Sequence, residues 1–525
     1  MGLLQQDSTV SKIVFNTPGG ATTITLGVAA GIWLLLSSLK HISNPKIDLK
    51  TIPSPKGAYP YFGHLPLLGE IPSLQFSKWH KELGPLISVK MGVKQWISIS
   101  DANLAHQILG IDTTVTANRP HTTFLCDYHA LKDNGIAGAN PSTQWKKTRA
   151  ATLQILSPRN REHLDKLHGP DADLLIETLV NTTARDGSVA VSDPLHFTSL
   201  NVIFATCFGR RAESVDDPVF KEVSYLMNQT GKRSSPAEEI STFLPVMAIM
   251  DILFRKKKDM HKFIYERRNP AFERYIKASL EEDVDCFAKS LLEMEDINNH
   301  DNVIVTLADL IIAGTDTTAV MLEWSMIILC HYPEVQKTMR EEIGKFVSEH
   351  GRLPTFDERE SVPYSISVQK ECMRFRPITY FGLPHEASQD IEVNGYLIPK
   401  GASIVCDMRA LHRDPALFLD PDTFIPDRYV NERSKPMYTS ANMGPEMRDH
   451  YNFGFGRRVC PGAYLAELEI FNVWVRLYSR CLVEPAKDAF GLPVYPDLDD
   501  IYNAGITSKP GSSTLRIIKY KDALL

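Results

Sequence analysis

Residues 451–462, YNFGFGRRVCPG, place one cysteine, Cys460, behind two arginines and among three glycines and a proline. Glycine lets a backbone approach a flat object closely and adopt dihedral angles that other residues avoid. The neighbouring guanidinium groups favour a thiolate over a thiol. A thiolate at the tip of such a loop suits a single axial metal ligand. A buried structural role, the commoner one for a lone cysteine, leaves the arginines and glycines unexplained.

The loop resembles the cysteine-ligand loop of the cytochromes P450, whose pattern is Phe-x-x-Gly-x-Arg-x-Cys-x-Gly. Every fixed position of that pattern is met, by Phe453, Gly456, Arg458, Cys460 and Gly462. The resemblance implies that Cys460 is the axial ligand of the iron of haem b. It also implies that Phe453 and Arg458 contact this cofactor.

The composition excludes several other classes of protein. Of 525 residues, 43% are hydrophobic and 23% are charged, as in a folded globular protein. The net charge of -6 gives no reason to expect nucleic-acid binding. The eight cysteines are scattered singly. This argues against a zinc ribbon or a disulfide scaffold and for a reducing compartment.

An apolar segment precedes the globular part. Residues 21–39 are mostly apolar, and no charged residue lies between Lys12 and Lys40. The segment can just cross a hydrocarbon core of about 30 Å, with a cleaved signal peptide as the alternative. Basic residues follow it, so the positive-inside rule predicts a lumenal N-terminus and a cytosolic catalytic domain.

We therefore predict a single-pass protein of the endoplasmic reticulum membrane. Its predicted parts are a short lumenal N-terminus at 1–20, a transmembrane anchor at 21–39, a basic and proline-rich hinge at 40–63 and a catalytic domain at 64–525.

The remaining pattern predicts a helix-rich body with small β-sheets. Alternation over residues 86–100 indicates a hairpin, and residues 140–364 are mostly helical in pattern. Asn394-Gly395 is a strong turn signal within 391–398. This class, mainly α with small β-sheets, agrees with the cytochrome P450 fold, and the resemblance covers about residues 52–520 in one domain.

The longest predicted helix spans about residues 302–330 and is ended by Pro333. It is nearly apolar, yet Asp309, Asp316 and Glu323 recur at intervals of seven. Seven residues are close to two helical turns, so the acids lie along one stripe. Three acids in lipid are costly, which favours a buried helix beside a polar cavity over a second membrane span.

In the middle of this helix, residues 313–318 read AGTDTT. Glycine costs about 1 kcal/mol relative to alanine inside a helix, and threonine hydroxyls can bond back to carbonyls and bend it. One interpretation is a kink that serves packing, and the other is an opening for oxygen and water beside an acid. The segment matches the P450 pattern (Ala/Gly)-Gly-x-(Asp/Glu)-Thr-Thr. The match implies that Gly314 adjoins the haem, Thr317 hydrogen-bonds the bound oxygen and Asp316 delivers protons through water.

Glu371-x-x-Arg374 has the spacing of a helical salt bridge, and most such pairs are exposed and contribute little stability. Together with the later Pro-x-Arg element that ends at Arg428, it resembles the buried Glu–Arg–Arg network of the P450 family. The resemblance implies a structural role around the haem loop.

Partners for the haem propionates are expected at two further places. Trp145 and Arg149 are four residues apart and lie on one helix face. An isolated pair of this kind is more often packing plus a solvated charge, but the resemblance implies that both contact a propionate. His385 matches the family's basic propionate contact, and a surface histidine is the alternative.

The resemblance also indicates where substrate binds. The expected pocket residues are Phe124, Leu125, Ala313, Tyr380, Phe381 and Ile506. Such a lining suits a lipophilic ligand, with steroids or xenobiotics as the suggested class. Residues 243–250, followed by the basic run 255–258, either dip into a membrane or form a core helix followed by a solvated face.

These features imply a monooxygenase that inserts one atom of O2 into a C–H bond. Residues 454–456 open no βαβ unit, so we predict no nicotinamide or flavin module in this chain. NADPH–cytochrome P450 reductase is the expected electron donor, with cytochrome b5 as a second one. The surface of this chain that is predicted to dock the reductase includes Lys146, Lys147, Lys435 and Arg457.

Two alternatives remain at this point. A P450-like isomerase or dehydratase would need no outside electrons, but such relatives often lack the helix threonine that Thr317 supplies. A membrane-tethered haem-binding or lipid-binding protein without turnover would not need the proton-delivery pair of Asp316 and Thr317.

Overall fold

The computed structural model describes residues 49–111, 113–282, 284–430, 435–522 and 524. The predicted lumenal segment, the membrane anchor and the hinge up to residue 48 lie outside this part. Within it, residues Ile52–Leu525 form one unit.

The α-helices of the described part run in the following order. They are α1 (Pro72–Leu83), α2 (Ala102–Ala105), α3 (Thr113–Thr116), α4 (Thr143–Ile155), α5 (Arg161–Asp186), α6 (Ser192–Phe208), α7 (Pro218–Arg233), α8 (Ile240–Phe243), α9 (Ala248–Leu253), α10 (Lys256–Phe263), α11 (Asn269–Glu281), α12 (Phe287–Glu293), α13 (His300–Cys330), α14 (Pro333–His350), α15 (Pro363–Phe375), α16 (Met408–Leu411), α17 (Met437–Ser440) and α18 (Ala463–Arg480). The predicted helix-rich body is therefore confirmed.

The strands are short and form four small sheets. They are β1 (Leu86–Met91), β2 (Lys94–Ile99), β3 (Val189–Ala190), β4 (His385–Glu386), β5 (Ile391–Val393), β6 (Tyr396–Ile398), β7 (Ser403–Cys406), β8 (Cys481–Lys487), β9 (Pro493–Val494), β10 (Ile501–Asn503), β11 (Ser508–Pro510) and β12 (Thr514–Lys519). Their orders are β1-β2-β7-β4, β3-β12-β8-β9, β5-β6 and β10-β11.

Both hairpins that the sequence predicts are present. Strands β1 and β2 pair antiparallel with Leu86 opposite Ile99. In the β5–β6 hairpin Val393 pairs with Tyr396, and the central residues Asn394 and Gly395 have φ of +49° and +77°. Positive φ at both central positions is the requirement of a type I′ turn, which explains the strength of this signal.

Helix α13 runs unbroken for 31 residues through the core. Among the described helices it alone is long and apolar enough to cross a membrane, but 72% of its most apolar window is buried inside the protein. It packs mainly on α6, and a Cβ built on Gly314 would lie 2.9 Å from Ile203 Cγ1. The prediction of a buried helix is confirmed, and Gly314 permits the close approach of α6.

The end of the predicted hinge is bound to the body of the protein. The Ser88 N–H donates to the Pro53 carbonyl at 2.8 Å. His64 is fully buried, with Nε2 2.9 Å from the Pro55 carbonyl and Nδ1 2.9 Å from the Lys90 backbone nitrogen. The backbone N–H of Lys90 must donate to Nδ1, so Nε2 carries the proton that bonds Pro55. Residues 52–64 are thus anchored along β1.

The sequence left two alternatives open for residues 243–250: a segment that dips into a membrane, or a core helix followed by a solvated face. The exposure of residues 243–254 distinguishes them. Phe243 and Leu244 are buried, but α9 and the residue after it expose large apolar side chains. Their exposed fractions are 61% for Ile249, 75% for Ile252, 68% for Leu253 and 67% for Phe254. The alternative of a core helix is therefore wrong for this segment.

Candidate active site

The cysteine loop closes on itself through backbone hydrogen bonds. The Cys460 N–H donates to the Phe453 carbonyl at 2.8 Å. Gly454 and Gly456 take φ of +74° and +56°, which L side chains rarely adopt. A Cβ on Gly456 would also lie 2.1 Å from the Leu109 carbonyl oxygen. Both glycines are required by this turn.

Cys460 is half-buried and lies just before α18, whose N-cap is Gly462. Burial raises the pKa of the Cys460 thiol, while the Gly462 N–H and the positive charge of Arg149 oppose that shift. Helix N-termini favour negative charge. Burial outweighs both, so the pKa of the thiol lies above its ordinary value, and the Gly462 N–H and Arg149 reduce the cost of forming a thiolate.

Arg458 points away from the thiol into a cradle of backbone carbonyls. Its guanidinium donates to Ala117 at 2.8 Å, Ile136 at 3.0 Å and Ala139 at 2.6 Å. It also lies 4.5 Å from the centroid of the Trp145 ring. Burial, and secondarily the charge of Arg149, lowers the pKa of Arg458 to about 10.

The other predicted propionate partners lie beside Arg458. Trp145 Nε1 donates to the Ile136 carbonyl at 3.1 Å, and the Arg149 guanidinium bonds the Val459 carbonyl. His385 Nδ1 lies 2.8 Å from the Thr116 carbonyl, so Nδ1 carries a proton. Burial and then the charge of Arg119 lower the pKa of His385 to about 3, which keeps its ring neutral.

Arg119 belongs to this cluster, although nothing in the sequence distinguished it from a surface arginine before a proline. It is buried and donates to the carbonyls of Leu383 and Pro384, both at 2.8 Å. Burial, with the nearby charges of Arg458 and Arg149, lowers its pKa well below the ordinary value.

Asp309 supports the cation cluster from α13. Its Oδ2 accepts from the N–H groups of Ile136 at 2.7 Å and Ala137 at 3.0 Å, and His129 Nε2 lies 2.9 Å from Oδ1. The carbonyl of Ile136 in turn accepts from Trp145 and Arg458. The sequence placed Asp309 on a stripe of acids but not at this loop.

Three arginines thus converge without a carboxylate partner. In the described part of the chain, no ion pair joins Arg119, Arg149 or Arg458 to an acidic side chain. Buried charges that are left unpaired are costly, so such a cluster calls for an anionic ligand. Haem brings two propionates and an iron that accepts an axial thiolate, so these residues fit it.

On α13, the threonines of the AGTDTT segment bond back to the helix. Thr317 Oγ1 donates to the Ala313 carbonyl at 2.6 Å, and Thr315 Oγ1 donates to Ile311 at 2.8 Å. Ala313 is exposed and Thr317 is half-buried, in contrast to the buried residues on either side along the helix. The helix therefore borders open space at this segment.

Asp316 lies in a network that the sequence did not predict. Its Oδ1 is 2.6 Å from Lys509 Nζ and 3.1 Å from His196 Nε2, and Thr507 Oγ1 donates to Oδ2 at 2.7 Å. Burial acts to raise the pKa of Asp316. The His196 contact, the Lys509 charge and the hydrogen bonds of Lys509 and Thr507 outweigh burial and hold this pKa well below the usual range.

Glu371 forms the predicted network with two arginines. Arg374 donates to both of its oxygens at 2.7 Å, and Arg428 Nε donates to Oε2 at 2.9 Å. The Glu371 and Arg374 side chains are fully buried. Arg374 further donates to the His412 carbonyl at 2.8 Å, which ties α15 to the segment after α16.

The predicted pocket residues divide into two groups. Ala313 and Ile506 are exposed, and Leu125 and Tyr380 are half-buried, so each can border a ligand. Phe124 is a correction, since it is fully buried and its ring packs on His129 and Phe263. Because it is fully covered by protein, a ligand cannot contact it. Phe381 is half-buried, with its ring 4.9 Å from that of Phe76 beside the β1–β2 hairpin.

The face around the cysteine loop is polar and basic. A pocket of about 290 Å³ opens there, lined by His106, Gly110, Thr113, Ala441, Asn442, Met443, Arg448, Phe455, Gly456 and Arg457. Lys146, Lys435 and Arg457, three residues of the predicted docking patch, are exposed. Lys147 is paired with Asp296 at 2.7 Å.

A helical fold with a loop cysteine beside three arginines that form no ion pair in the described part is the arrangement expected of a haem-thiolate protein. Comparison with known proteins identifies the family. The family model of cytochrome P450 matches residues 53–497. The chain therefore belongs to the cytochrome P450 family, as its cysteine loop predicts.

Its curated relatives include fungal monooxygenases. Cytochrome P450 monooxygenase 253 of Postia placenta is 26% identical over 94% of this chain and 93% of its own length. Cytochrome P450 monooxygenase macC of Penicillium terrestre is 28% identical over 90% of this chain and 90% of its own length. A zebra fish cytochrome P450 solved with progesterone aligns with a TM-score of 0.71 and 24% identity, over 85% of this chain and 99% of its own. That likeness shows the fold alone.

The protein is accordingly a cytochrome P450 monooxygenase. Enzymes of this family use haem b and O2, with electrons from a redox partner.

Proposed function

We propose that this enzyme inserts one oxygen atom from O2 into a C–H bond of a lipophilic small molecule, in the class of steroids or xenobiotics. Electrons come from NADPH through NADPH–cytochrome P450 reductase, with cytochrome b5 as a second donor. The proposal depends on one observation: Thr317 lies on the open side of α13, and the next residue back in the helix is Asp316, whose pKa is held low so that it is ionised.

In this proposal Cys460 binds the haem iron, and Trp145, Arg149, Arg458 and His385 lie at the propionates. Arg119 joins them, because it is buried close to Arg458 and Arg149 and forms no ion pair with an acid in the described part of the chain. Phe453, on the cysteine loop, and Gly314, on α13, would adjoin the bound haem. The bound haem, with its thiolate ligand, supplies the oxygen activation.

The chain's own residues supply binding and proton control. Thr317 can turn its hydroxyl from the Ala313 carbonyl towards the open space and donate a hydrogen bond there. Asp316 receives protons and passes them on through water. The apolar residues Ala313, Leu125 and Ile506 exclude bulk water and orient the substrate.

The proposed membrane contact combines the anchor at 21–39 with the exposed segment 249–254. Tyr61, near the end of the predicted hinge, accepts from the Val246 N–H at 2.9 Å, three residues before this segment begins. The segment pairs apolar side chains with the basic run 255–258, which is the composition of an interfacial element.

Reconstitution with reductase and NADPH tests the function. We expect NADPH-dependent products whose mass is raised by one oxygen atom when lipophilic compounds are screened, and incorporation of label from ¹⁸O2. Turnover of a hydroperoxide without NADPH, with no product from O2, would instead identify an isomerase or dehydratase.

Thr317→Ala sharpens this test. Loss of the hydroxyl removes a positioned proton-transfer group, so product formation falls by about 10²-fold while NADPH consumption continues and appears as hydrogen peroxide. Thr317→Ser retains the hydroxyl and keeps most of the coupling. Equal coupling in Thr317→Ala and the parent enzyme would exclude the role of Thr317.

Membrane contact is measured on the full chain in lipid nanodiscs. A fluorophore on Leu253→Cys, in a Cys126→Ser background, is expected to be quenched by nitroxide-labelled lipids. The same fluorophore on Leu280→Cys, which replaces an exposed leucine of α11, serves as the control. Equal quenching of both positions, or quenching of Leu253→Cys by a water-soluble agent only, rules out insertion of this segment.

A further inference from the structure

His196 is placed so that each of its protonation states finds a partner already in position. It lies on α6, and 18% of its side chain is exposed to solvent. Its Nδ1 is 2.8 Å from the Ser192 carbonyl, which can only accept, so Nδ1 carries a proton in both states. Proton gain and loss therefore occur at Nε2.

Nε2 faces two groups of opposite hydrogen-bonding character. Asp316 Oδ1, an acceptor, is 3.1 Å away, and Lys509 Nζ, a donor, is 3.3 Å away. A protonated Nε2 donates to Asp316, whereas a bare Nε2 accepts from Lys509. Lys509 Nζ is also 2.6 Å from Asp316 Oδ1, so a small movement of the ammonium group serves either state.

Each remaining group near His196 has a different part. Thr507, beside β11, holds Asp316 Oδ2 at 2.7 Å and leaves Oδ1 to the two basic groups. Glu323, two turns further along α13, is buried, and its Oε2 has no hydrogen-bond partner in the described part. Burial raises the pKa of Glu323, against the hydrogen bonds of Ser513 and Ser192 and the charges of His196 and Lys509.

Asp316 by itself is a poor source of protons, because its pKa is held well below the usual range. Lysine holds its proton too tightly to exchange it readily at neutral pH, whereas imidazole is the side chain that gains and loses a proton there. His196, whose side chain is partly exposed and contacts Asp316, is therefore the imidazole that links this acid to solvent.

We propose that His196 takes protons from solvent and transfers them to Asp316, with Lys509 moving between the two, and so supplies the protons used at Thr317. In the transfer, the Nε2–H bond of the imidazolium breaks and an O–H bond forms on Oδ1. The neutral imidazole then accepts a hydrogen bond from Lys509, which withdraws from Oδ1 and lets Asp316 hold the proton. A second proton from solvent restores the imidazolium. The inference rests on the proposed monooxygenase function and names His196 and Lys509 as positioning residues for it.

His196→Gln tests the inference, with His350→Gln as the matched control. His350 makes the same bond from Nδ1 to the carbonyl four residues earlier, at 3.0 Å from Phe346, and has no acidic partner in the described part. In the reconstituted enzyme we expect the share of NADPH electrons lost to peroxide to depend on pH between 5 and 8. His196→Gln makes this share several-fold higher and independent of pH, while His350→Gln behaves as the parent.

A second measurement does not depend on turnover. In the full-length protein, held in its diamagnetic ferrous carbon monoxide form, nitrogen NMR of labelled histidines should contain a His196 signal that changes with pH. The signal disappears in His196→Gln and changes its midpoint in Asp316→Asn. Lys509→Gln raises the midpoint, because loss of a neighbouring positive charge favours the imidazolium.

The outcomes separate the two hypotheses. An unchanged pH profile and unchanged coupling in His196→Gln overturn the relay while the monooxygenase function stands. A His196 signal that does not titrate, or that ignores Asp316→Asn and Lys509→Gln, overturns it as well. If the parent enzyme forms no product with any donor, the proposed function fails, and the NMR titration still decides whether His196 exchanges protons beside Asp316.

Discussion

Replacing Cys460 by serine should abolish monooxygenation and remove the red-shifted Soret band of the reduced carbon monoxide complex. That band reports a thiolate that donates electron density to the iron, and a serine hydroxyl remains protonated and donates little. The Gly462 N–H and Arg149, which favour a charged sulfur, have no comparable effect on an alcohol. Activity should fall to the background of the assay, whichever substrate is used.

Cys126→Ser is the control for this change. Cys126 is half-buried like Cys460, but it lies outside the loop and its Sγ contacts the Pro120 carbonyl at 3.9 Å. We expect full activity and an unaltered spectrum. A red-shifted band in correctly folded Cys460→Ser protein would show that another group binds the iron.

The second large effect is expected from Glu371→Gln. The substitution keeps the size of the side chain but removes the charge that Arg374 and Arg428 share, and Arg374 is completely buried. Removing one partner of a buried ion pair costs about 3–5 kcal/mol. Since domains are stable by only about 5–15 kcal/mol, a large part of the free energy of unfolding is lost. Denaturant unfolding and the yield of haem-loaded protein measure the loss.

Glu358→Gln provides the matched surface pair. Arg352 bonds both oxygens of Glu358 at 2.7 Å, the same distances as in the buried pair, but the Arg352 side chain is 51% exposed. A glutamine oxygen can still accept the hydrogen bond from the Thr355 N–H that caps this helix. We therefore expect the free energy of unfolding to fall by less than about 1 kcal/mol. A similar loss of unfolding free energy in both variants would show that burial does not increase the contribution of Glu371 to stability.

Some elements follow from short-range patterns. The type I′ turn at Asn394-Gly395 and the limits of α13 depend on residues that are neighbours in the chain, and both are observed. The three acids of α13 are predictable as a stripe for the same reason. Their separate roles are not predictable, because Asp309 bonds a loop and His129, whereas Asp316 bonds Lys509 and His196.

Other features depend on tertiary packing. Phe124 resembles a pocket residue in the sequence, but its ring is fully buried and packs on His129 and on Phe263 of α10. Residues 249–254 are apolar enough for a core helix, and only their exposure excludes it. Hydrophobicity limits what a residue can contact, but it does not determine which partner covers it.

The sequence by itself determined the class of the protein, since the cysteine loop and the AGTDTT helix carry their chemistry in consecutive residues. The tertiary structure decided which charges meet. Arg119 reaches the cluster of Arg149 and Arg458 because α4 contacts the cysteine loop, and His196 with Lys509 reaches Asp316 because α6 and β11 pack on α13. Electrostatic and hydrogen-bond energies depend on distances of a few ångströms, and between residues far apart in the chain only the packed fold sets those distances.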